Sequence, residues 1–305
     1  MRTDLARTGA RTRVWIALAL AVMLLGTACA DESGDQEIVL LTHDSFALSE
    51  GLLEAFTDET GITVTLQTAG DAGSVVNQAI LTKDNPIADV LYGIDTTFLS
   101  RAIDEGIFVP YRSPAIDAVS DDLLPASDAV TPINYGDVCI NYDIPALTSL
   151  GLEPPQDLTD LAGPEYRGLL VVQDPATSSP GLAFLLLTIE AFGDAGWQAY
   201  WESLFANDVE VASDWTQAYN TEFTRSGGTR PLVVSYASSP PAEVLFGDLD
   251  EAPTGVMETS CFRQVEYAGI LNGTRSVASS QKLVDYLLSI PVQEDVPLSM
   301  FVYPA

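Results

Sequence analysis

The sequence predicts an α/β protein in which two β/α lobes are joined by a hinge around a central cleft. Apolar strand-like runs alternate with helix-like segments over residues 37–105, in the order β-α-β-α-β-α. This alternation is typical of a parallel sheet with helices on both faces. Residues 138–236 contain a second unit of the same kind. The elements after residue 262 have no obvious partners there, so we expect them to return to the first lobe, which would produce a hinge.

The elements of the first lobe follow from apolar runs that end in turn residues. The predicted strands and helices are strands at 37–42, 62–66 and 89–92, and helices at 52–60, from 74 onwards and at 96–105. Gly61 stands where a helix C-cap glycine is expected. The polar turns at 43–46, 71–74 and 93–96 follow the carboxyl ends of the strands. Ligands of such sheets bind beyond these ends.

The second unit follows a segment, residues 113–132, whose Pro, Asp and Ser content predicts a surface excursion. Its predicted elements, with those that come after it, are strands at 138–142, 169–172, 209–212, 231–236, 262–268 and 301–303, and helices within 145–155 and at 158–161, 183–192, 195–204, from 214 and at 276–289.

The strand at 169–172 leads through a hydroxyl-rich turn, residues 174–181, into an apolar helix. Unpaired N–H groups at the start of that helix, with Thr177 and Ser178, could form a polar cradle for a ligand. Ser, Thr and Asp are also ordinary cap residues. The turn alone therefore leaves two interpretations open, a ligand site and a capped connection.

The N-terminus has the pattern of an exported lipoprotein. Basic residues precede a twelve-residue apolar run, residues 14–25, which is too short to span a bilayer and suits a signal peptide. Small residues then precede Cys29, which predicts removal of residues 1–28, lipidation of Cys29 and a flexible tether over 29–37. The alternative is ordinary signal cleavage with a free Cys29. We expect the protein on the outer face of the cell membrane or in the periplasm.

Charge and cysteine content narrow the function further. The formal net charge of -30 at pH 7 argues against nucleic acid and anionic membrane surfaces as partners, and it permits a cationic ligand. With Cys29 assigned to lipid, Cys139 and Cys261 remain as a pair, and export favours a disulfide between them. Two buried thiols, or one reactive thiol, are the alternatives.

A set of local motifs resembles the thiamine-binding substrate-binding proteins of bacterial ABC transporters, from about residue 38 to the end. The motifs are Thr-His-Asp-Ser-Phe at 42–46, Gly-Asp-Ala-Gly at 70–73, Ala-Asp-Val-Leu-Tyr-Gly-Ile-Asp at 88–95, Asn-Tyr-Gly at 134–136, Gln-Asp-Pro-Ala-Thr-Ser-Ser-Pro-Gly at 173–181, Trp-Thr-Gln-Ala-Tyr at 215–219, Ser-Tyr-Ala-Ser-Ser-Pro at 235–240 and Met-Phe-Val-Tyr-Pro at 300–304.

This resemblance implies the two-lobed periplasmic-binding-protein fold (type II). The first lobe would comprise residues 38–137 and about 240–305, and the second lobe residues 138–239. It further implies a monomer that needs no cofactor, binds thiamine or a thiamine phosphate as cargo and passes it to an ABC permease.

Carried over residue by residue, the resemblance predicts ligand-binding roles for His43, Asp44, Ser45, Asp71, Ala72, Gly73, Asp95, Thr177, Ser178, Trp215, Tyr219 and Tyr236. Thiamine is a permanent cation with two aromatic rings, so it needs π-faces and hydrogen-bond acceptors. Trp215 could instead be a core residue, and Asp71 could instead cap the helix at Ser74. The single histidine, His43, argues against multi-His metal sites.

Two departures from the family pattern leave alternatives open. Ser49-Glu50 and Pro241-Ala242 stand where relatives can carry aromatic residues, so stacking partners would be missing or supplied from elsewhere. A sister specificity for ferric ion, polyamine or phosphonate is one alternative, although no adjacent Tyr-Tyr pair occurs. A thiaminase-like enzyme with Cys139 as nucleophile is another, which a disulfide to Cys261 would silence. We expect no catalysis.

Overall fold

The computed structural model describes residues 37–305. The predicted signal peptide, Cys29 and the tether up to residue 36 lie outside the described residues. The strands are β1 (Glu37–Thr42), β2 (Thr63–Thr68), β3 (Val90–Asp95), β4 (Phe108–Val109), β5 (Thr131–Asp143), β6 (Leu170–Gln173), β7 (Glu210–Ala212), β8 (Leu232–Tyr236), β9 (Thr254–Leu271) and β10 (Tyr303–Pro304).

The α-helices are α1 (Leu52–Thr60), α2 (Ala72–Leu81), α3 (Leu99–Asp104), α4 (Ile144–Leu150), α5 (Ser179–Phe192), α6 (Trp197–Ala206), α7 (Trp215–Gln217), α8 (Ser239–Gly247), α9 (Val277–Leu287) and α10 (Ile290–Ser299). A π-helical turn, Ala218–Glu222, continues α7. Short 3-10 helices occupy Pro114–Ala118, Asp121–Leu123, Asp160–Ala162, Pro164–Tyr166 and Thr224–Ser226. Of the helices in residues 37–305, none has the length and apolar character needed to cross a membrane.

The sheet joins both β/α units in the order β2-β1-β3-β9-β5-β8-β6-β7, with β10 on β5 and β4 on β9. β1 runs parallel to β2 and β3, as the alternating pattern predicted. β6 likewise runs parallel to β7 and β8. Between the two parallel groups lie β5 and β9, which are antiparallel to each other and to their outer neighbours. These two strands therefore connect the units.

β5 and β9 are also the longest strands, with 13 and 18 residues. Their pairing shifts register between Pro132 and Asn134, and again between Val138 and Ile140. Such bulges bend a strand locally and increase its twist. The shorter predicted strands at 138–142 and 262–268 are therefore parts of two long, irregular strands.

Apolar side chains cover both faces of the sheet. Along β1, Ile38 and Leu40 face one core cluster, while Leu41 packs into another on the opposite face, which is the period-two alternation of a strand buried on both sides. The cluster around Ile38 includes Leu283 and Val296 from the late helices α9 and α10. A separate cluster surrounds β6 and β8. The lobe boundaries drawn from the sequence stay a prediction.

The predicted disulfide is present: Cys139 of β5 is bonded to Cys261 of β9, 122 residues away in sequence. It lies beside the second register shift, where Val138 pairs with Phe262 but Ile140 pairs with Met257. In the chain-entropy model, closing a loop of this length stabilises the fold by roughly 4–5 kcal/mol.

Two helices were missing from the sequence prediction. α8 begins Ser-Pro-Pro and α10 begins Ile-Pro, and the sequence analysis predicts no helix over either segment. Proline is well suited to the first turn of a helix, because the N–H that it lacks would have no partner there. The predicted strand at 301–303 shrinks to the two residues of β10.

Candidate functional site

A cavity of about 330 Å³ opens where the carboxyl ends of the strands meet α2, α5, α7 and α8. Its volume falls within the range of small-molecule sites, about 300–1,000 Å³. Residues 43–72 and 264–302 contribute to its lining from the predicted first lobe, and residues 179–239 from the predicted second lobe. The position agrees with the rule that ligands of α/β sheets bind beyond the strand ends.

Seven of the residues predicted to bind ligand line this cavity: His43, Ser45, Asp71, Ala72, Trp215, Tyr219 and Tyr236. Five others lie outside the lining: Asp44, Gly73, Asp95, Thr177 and Ser178. Their roles as ligand-binding residues stay a prediction.

The five residues outside the lining have other neighbours. Asp44 is exposed to solvent. The Thr177 hydroxyl donates to the backbone carbonyl of Ser213 at 2.8 Å, and the Thr177 carbonyl accepts the Gly73 N–H at 2.9 Å. The Ser178 side chain is fully buried.

Asp95 is also fully buried, and it sits at the contact between the predicted lobes. Its carboxylate accepts the hydroxyl of Ser179 and the backbone N–H of Thr97, the latter at 2.6 Å. Burial raises the pKa of Asp95 to about 6, against the lowering effect of these donors. The segment 174–181 thus makes a contact between the predicted lobes and also contains the start of α5.

Asp71 makes a second polar contact across the same boundary. One carboxylate oxygen accepts the N–H of Ala72 at 2.7 Å, which is the capping role considered above. The other accepts the backbone N–H of Trp215 at 3.2 Å. The Ser178 hydroxyl is near enough to lower the pKa of Asp71, although the two groups do not meet hydrogen-bond geometry. Burial outweighs these donors, and the pKa of Asp71 is raised above 3.8.

Trp215 and Tyr219 form an aromatic wall. Their rings stack with centroids 5.1 Å apart and planes inclined by 14°, and both are half-buried. The indole Nε1 donates to the Ser235 hydroxyl at 3.0 Å, which in turn contacts Ser239 at 2.9 Å. Trp215 therefore lines the cavity and is not enclosed in the core. The stack leaves aromatic surface for a flat ligand.

Glu243 holds the outer end of this wall. It accepts the Tyr219 hydroxyl at 2.6 Å and pairs with Arg225, whose Nε lies 2.9 Å from the second carboxylate oxygen. Burial and the neighbouring Glu243 both raise the pKa of Tyr219. Tyr219 thus remains a neutral donor at physiological pH.

His43 and Glu266 form a buried ion pair on the first-lobe side, with 3.0 Å between His43 Nε2 and Glu266 Oε1. The imidazole N–H is not aligned with the carboxylate, so the contact is primarily electrostatic. Burial acts to lower the pKa of His43, but Glu266, and more weakly Asp71 and Asp44, raise it above 6.5. Burial likewise opposes ionisation of Glu266, yet His43 and further donors lower its pKa.

Several neighbours keep this ion pair in place. Asn134 Nδ2 donates to Glu266 at 2.7 Å, and the Tyr92 hydroxyl lies 3.2 Å from the same oxygen. Gly93 has a φ of 94°, and a Cβ there would stand 2.1 Å from the His43 ring. Only glycine combines that backbone conformation with such a close approach.

The sequence interpretation missed Glu266, Gln264, Ser239, Glu243 and Phe246 among the lining residues. Glu266 carried a signal, because it is a charged residue between Val265 and Tyr267 in a predicted buried strand. Glu243 and Phe246 lie on α8, which was not predicted. Phe246 packs edge-on against Phe301, a further lining residue, with ring centroids 4.6 Å apart. These rings lie in the region where family aromatics were thought to be missing.

Within residues 37–305, no group of three or more His, Cys, Asp or Glu residues is arranged to hold a metal ion. Both cysteines in this part of the chain are in the disulfide.

Comparison with known proteins gives concordant matches. Residues 85–305 match the model of a family described as bacterial extracellular solute-binding protein. The thiamine-binding periplasmic protein of Escherichia coli (strain K12) is 30% identical over 271 residues, which cover 88% of this chain and 80% of the relative. The protein of the same name from Salmonella typhimurium is 28% identical with the same coverage. A solved structure of a periplasmic thiamin binding protein superposes with a TM-score of 0.77 at 28% identity, covering 88% of this chain and 83% of that one.

Proposed function

The chain belongs to the family of bacterial extracellular solute-binding proteins, and from this premise we propose that it captures thiamine and delivers it to an ABC importer. Its fold is the two-lobed periplasmic-binding fold (type II) that the sequence predicted. The observation that carries the choice of ligand is the cavity itself, where a stacked aromatic pair lines the same space as the buried Glu266 and the half-buried Asp71 and Glu243. The curated relatives named for thiamine binding support the same choice.

The charges around the cavity favour a cation. Asp71, Glu243 and Glu266 line it, whereas His43 is the one lining residue within 37–305 that can carry a positive charge. His43 is already paired with Glu266. A thiazolium ring entering this space meets an excess of negative charge in a setting from which most water is removed, where electrostatic attraction is strengthened.

The aromatic residues supply the second requirement. A face of the Trp215–Tyr219 stack can receive a ring, and Gln264 Nε2, also in the lining, donates to the Tyr236 hydroxyl at 3.2 Å. A cation over an aromatic face is stabilised by about 0.5–2 kcal/mol. The carboxylate of Asp71 and the Gln264 amide provide acceptors for an aminopyrimidine edge.

We propose that the protein acts by binding alone, with no cofactor and no chemical step. Cys139, the nucleophile that a thiaminase-like mechanism would use, is bonded to Cys261, and a disulfide sulfur cannot serve as a thiolate nucleophile. Incubating the purified protein with thiamine, followed by chromatography, should return the vitamin intact. Loss of thiamine would overturn this part of the proposal.

The proposed cellular setting is a monomer on the outer face of the cell membrane, anchored by lipid on Cys29 and presenting its closed lobes to a permease. Mass spectrometry of the membrane fraction tests the anchor, because an unmodified Cys29 would contradict it.

Titration calorimetry of the purified exported protein tests the ligand. We expect a saturable heat of binding with thiamine and none with spermidine or ferric citrate. Spermidine tests whether charge suffices without aromatic rings, and ferric citrate tests the ferric-ion specificity. Binding of either compound without thiamine would assign the protein to a sister specificity.

A further inference from the structure

We propose that His43 serves as the site's own cation, and that binding of a thiazolium ring displaces its proton to solvent, so that capture of the ligand and release of a proton are coupled. The inference rests on the proposed function, because it requires a ligand with a permanent positive charge. It concerns His43 and Glu266, the buried ion pair in the cavity wall.

The ion pair faces the space that the ligand would occupy. His43 Nε2 lies 3.0 Å from Glu266 Oε1, and both residues line the same cavity as Trp215. A cavity of about 330 Å³ is near the lower end of the range for small-molecule sites, so a ligand with two rings fills most of it. The thiazolium charge would therefore lie close to the pair, in a space from which most water is displaced.

The charged groups that act on His43 are carboxylates. Burial acts to lower the pKa of His43, but Glu266 of β9, Asp71 before α2 and the adjacent Asp44 raise it above 6.5. No lysine or arginine from residues 37–305 lines the cavity. His43 is thus the group in the described lining that can give up a positive charge near neutral pH.

Two further kinds of titratable group surround the pair. The phenols of Tyr92 on β3 and Tyr236 on β8 stay neutral at physiological pH, since burial raises their pKa values well above 10. Asp95, at the end of β3, has a pKa of about 6 and interacts with the charge of Glu266. A test of the proposal must therefore separate a proton on His43 from one on Asp95.

Neighbouring residues restrict movement of the pair. Gly93, with a φ of 94°, packs so closely against the imidazole that a Cβ there would collide with the ring. Glu266 accepts Asn134 Nδ2 at 2.7 Å and lies 3.2 Å from the Tyr92 hydroxyl. An incoming cation thus meets an imidazolium held in place, and like charges repel strongly where little water remains.

Loss of the proton relieves this repulsion. The N–H bond of the imidazolium breaks, its electron pair stays on the ring nitrogen, and the proton passes to water and buffer. Neutral His43 remains in place, and the carboxylate of Glu266 becomes a counter-ion of the thiazolium. One cation in the site is thereby exchanged for another, and the total charge of the wall and its ligand equals that of the empty wall.

Linkage sets the direction of the pH dependence. Just below the pKa of His43 in the free protein, binding must expel the proton, so the Kd for thiamine should fall by up to about tenfold for each unit by which the pH rises. Above that pKa His43 is already neutral, and Kd should level off. Reciprocally, bound thiamine should lower the pKa of His43.

Nuclear magnetic resonance can follow this proton directly, because His43 is the one histidine in the sequence. The imidazole C–H signals of the exported protein, prepared without a histidine tag, are titrated with pH in the absence and presence of saturating thiamine. A lower pKa of His43 in the complex supports the inference. An equal or higher pKa in the complex overturns it while the proposed function stands. If thiamine does not bind, the proposed function fails, and this inference with it.

Calorimetry gives an independent measure with variants. Titrating thiamine near pH 6.5 in two buffers of different ionisation enthalpy gives the number of protons released, which should approach one per ligand for the wild type. His43→Gln should abolish this release, and so should Glu266→Gln, because burial then keeps His43 neutral. Glu202→Gln makes the same change on the exposed surface of α6 and should match the wild type.

Circular dichroism must first show that the two cavity variants are folded, and the resonance experiment needs neither of them. No proton release by the wild type would overturn the inference. Wild-type release from folded His43→Gln would also overturn it, since the proton would then come from another group such as Asp95.

Discussion

Replacing Trp215 by alanine tests whether the aromatic wall binds ligand. The indole lines the cavity and stacks on Tyr219 at 5.1 Å, so the variant removes one ring face from the site. A cation–π contact is worth about 0.5–2 kcal/mol, and aromatic stacking adds about 0.5–1.5 kcal/mol beyond area burial. The lost binding free energy is then about 1–3.5 kcal/mol. Because about 1.4 kcal/mol corresponds to a factor of ten, Kd should rise by roughly fivefold to three-hundredfold.

The assay is calorimetric titration of thiamine into the wild-type protein and three variants. Trp215→Phe keeps a ring face but loses the Nε1 donor to Ser235, so its Kd should lie between those of the wild type and Trp215→Ala. Trp197→Ala is the matched control, because Trp197 packs against the core around β6 and β8 and does not line the cavity. That control should lose stability and keep its affinity.

Circular dichroism must first show that each variant is folded. A folded Trp215→Ala protein that binds thiamine as tightly as the wild type would refute the reasoning, since the indole would then be a packing residue. A similar loss of affinity in Trp197→Ala would equally remove the argument, because it would attribute the effect to general destabilisation.

Three further predictions concern stability, each measured by urea unfolding. Burial raises the pKa of Asp95 to about 6 from 3.8, so the folded state binds the proton more tightly. The stability that this group contributes is full below about pH 4 and is lost as the pH rises through about 6. Across that window the difference in unfolding free energy between the wild type and Asp95→Asn should shrink by up to about 3 kcal/mol. A difference that does not change with pH would contradict this prediction. His43→Gln leaves the buried carboxylate of Glu266 without its cationic partner and should lower the unfolding free energy by about 3–5 kcal/mol. The double variant His43→Gln/Glu266→Gln should recover part of that loss. Strictly additive effects of the two substitutions would show that the residues are not coupled. Changing Cys139 and Cys261 to serine should lower the unfolding free energy by roughly 4–5 kcal/mol, and an unaltered midpoint would mean that the cross-link does not constrain the unfolded chain.

Local patterns predicted the parts of the fold that depend on neighbours in sequence. The parallel arrangement of β1, β2 and β3 followed from alternating apolar runs, and the cysteine pairing followed from export and counting. The insertion of β5 and β9 between the parallel groups did not follow, because the pairing of Thr131 with Ala268 joins segments more than a hundred residues apart. No short-range pattern specifies such a partner.

The functional site was likewise predictable only in part. The motifs predicted ligand-binding roles for Trp215, Tyr219 and Asp71, and all three residues line the cavity. The direction of each side chain could not be predicted. Ser178 and Asp95 both lie in polar segments that follow predicted strands, yet packing between the predicted lobes buries both side chains. Whether a hydroxyl in such a turn faces a ligand or a neighbouring element depends on how the two halves meet, which sequence spacing does not encode.

The bond between Cys139 and Cys261 has a mechanical meaning for a protein that must release its cargo and be used again. It cross-links β5 and β9, the two long strands that connect the β/α units. Backbone hydrogen bonds between two strands can break when the strands bend, but the disulfide prevents β5 and β9 from separating at this point. The cross-link therefore holds Cys139 of β5 beside Cys261 of β9 through every cycle of binding and release.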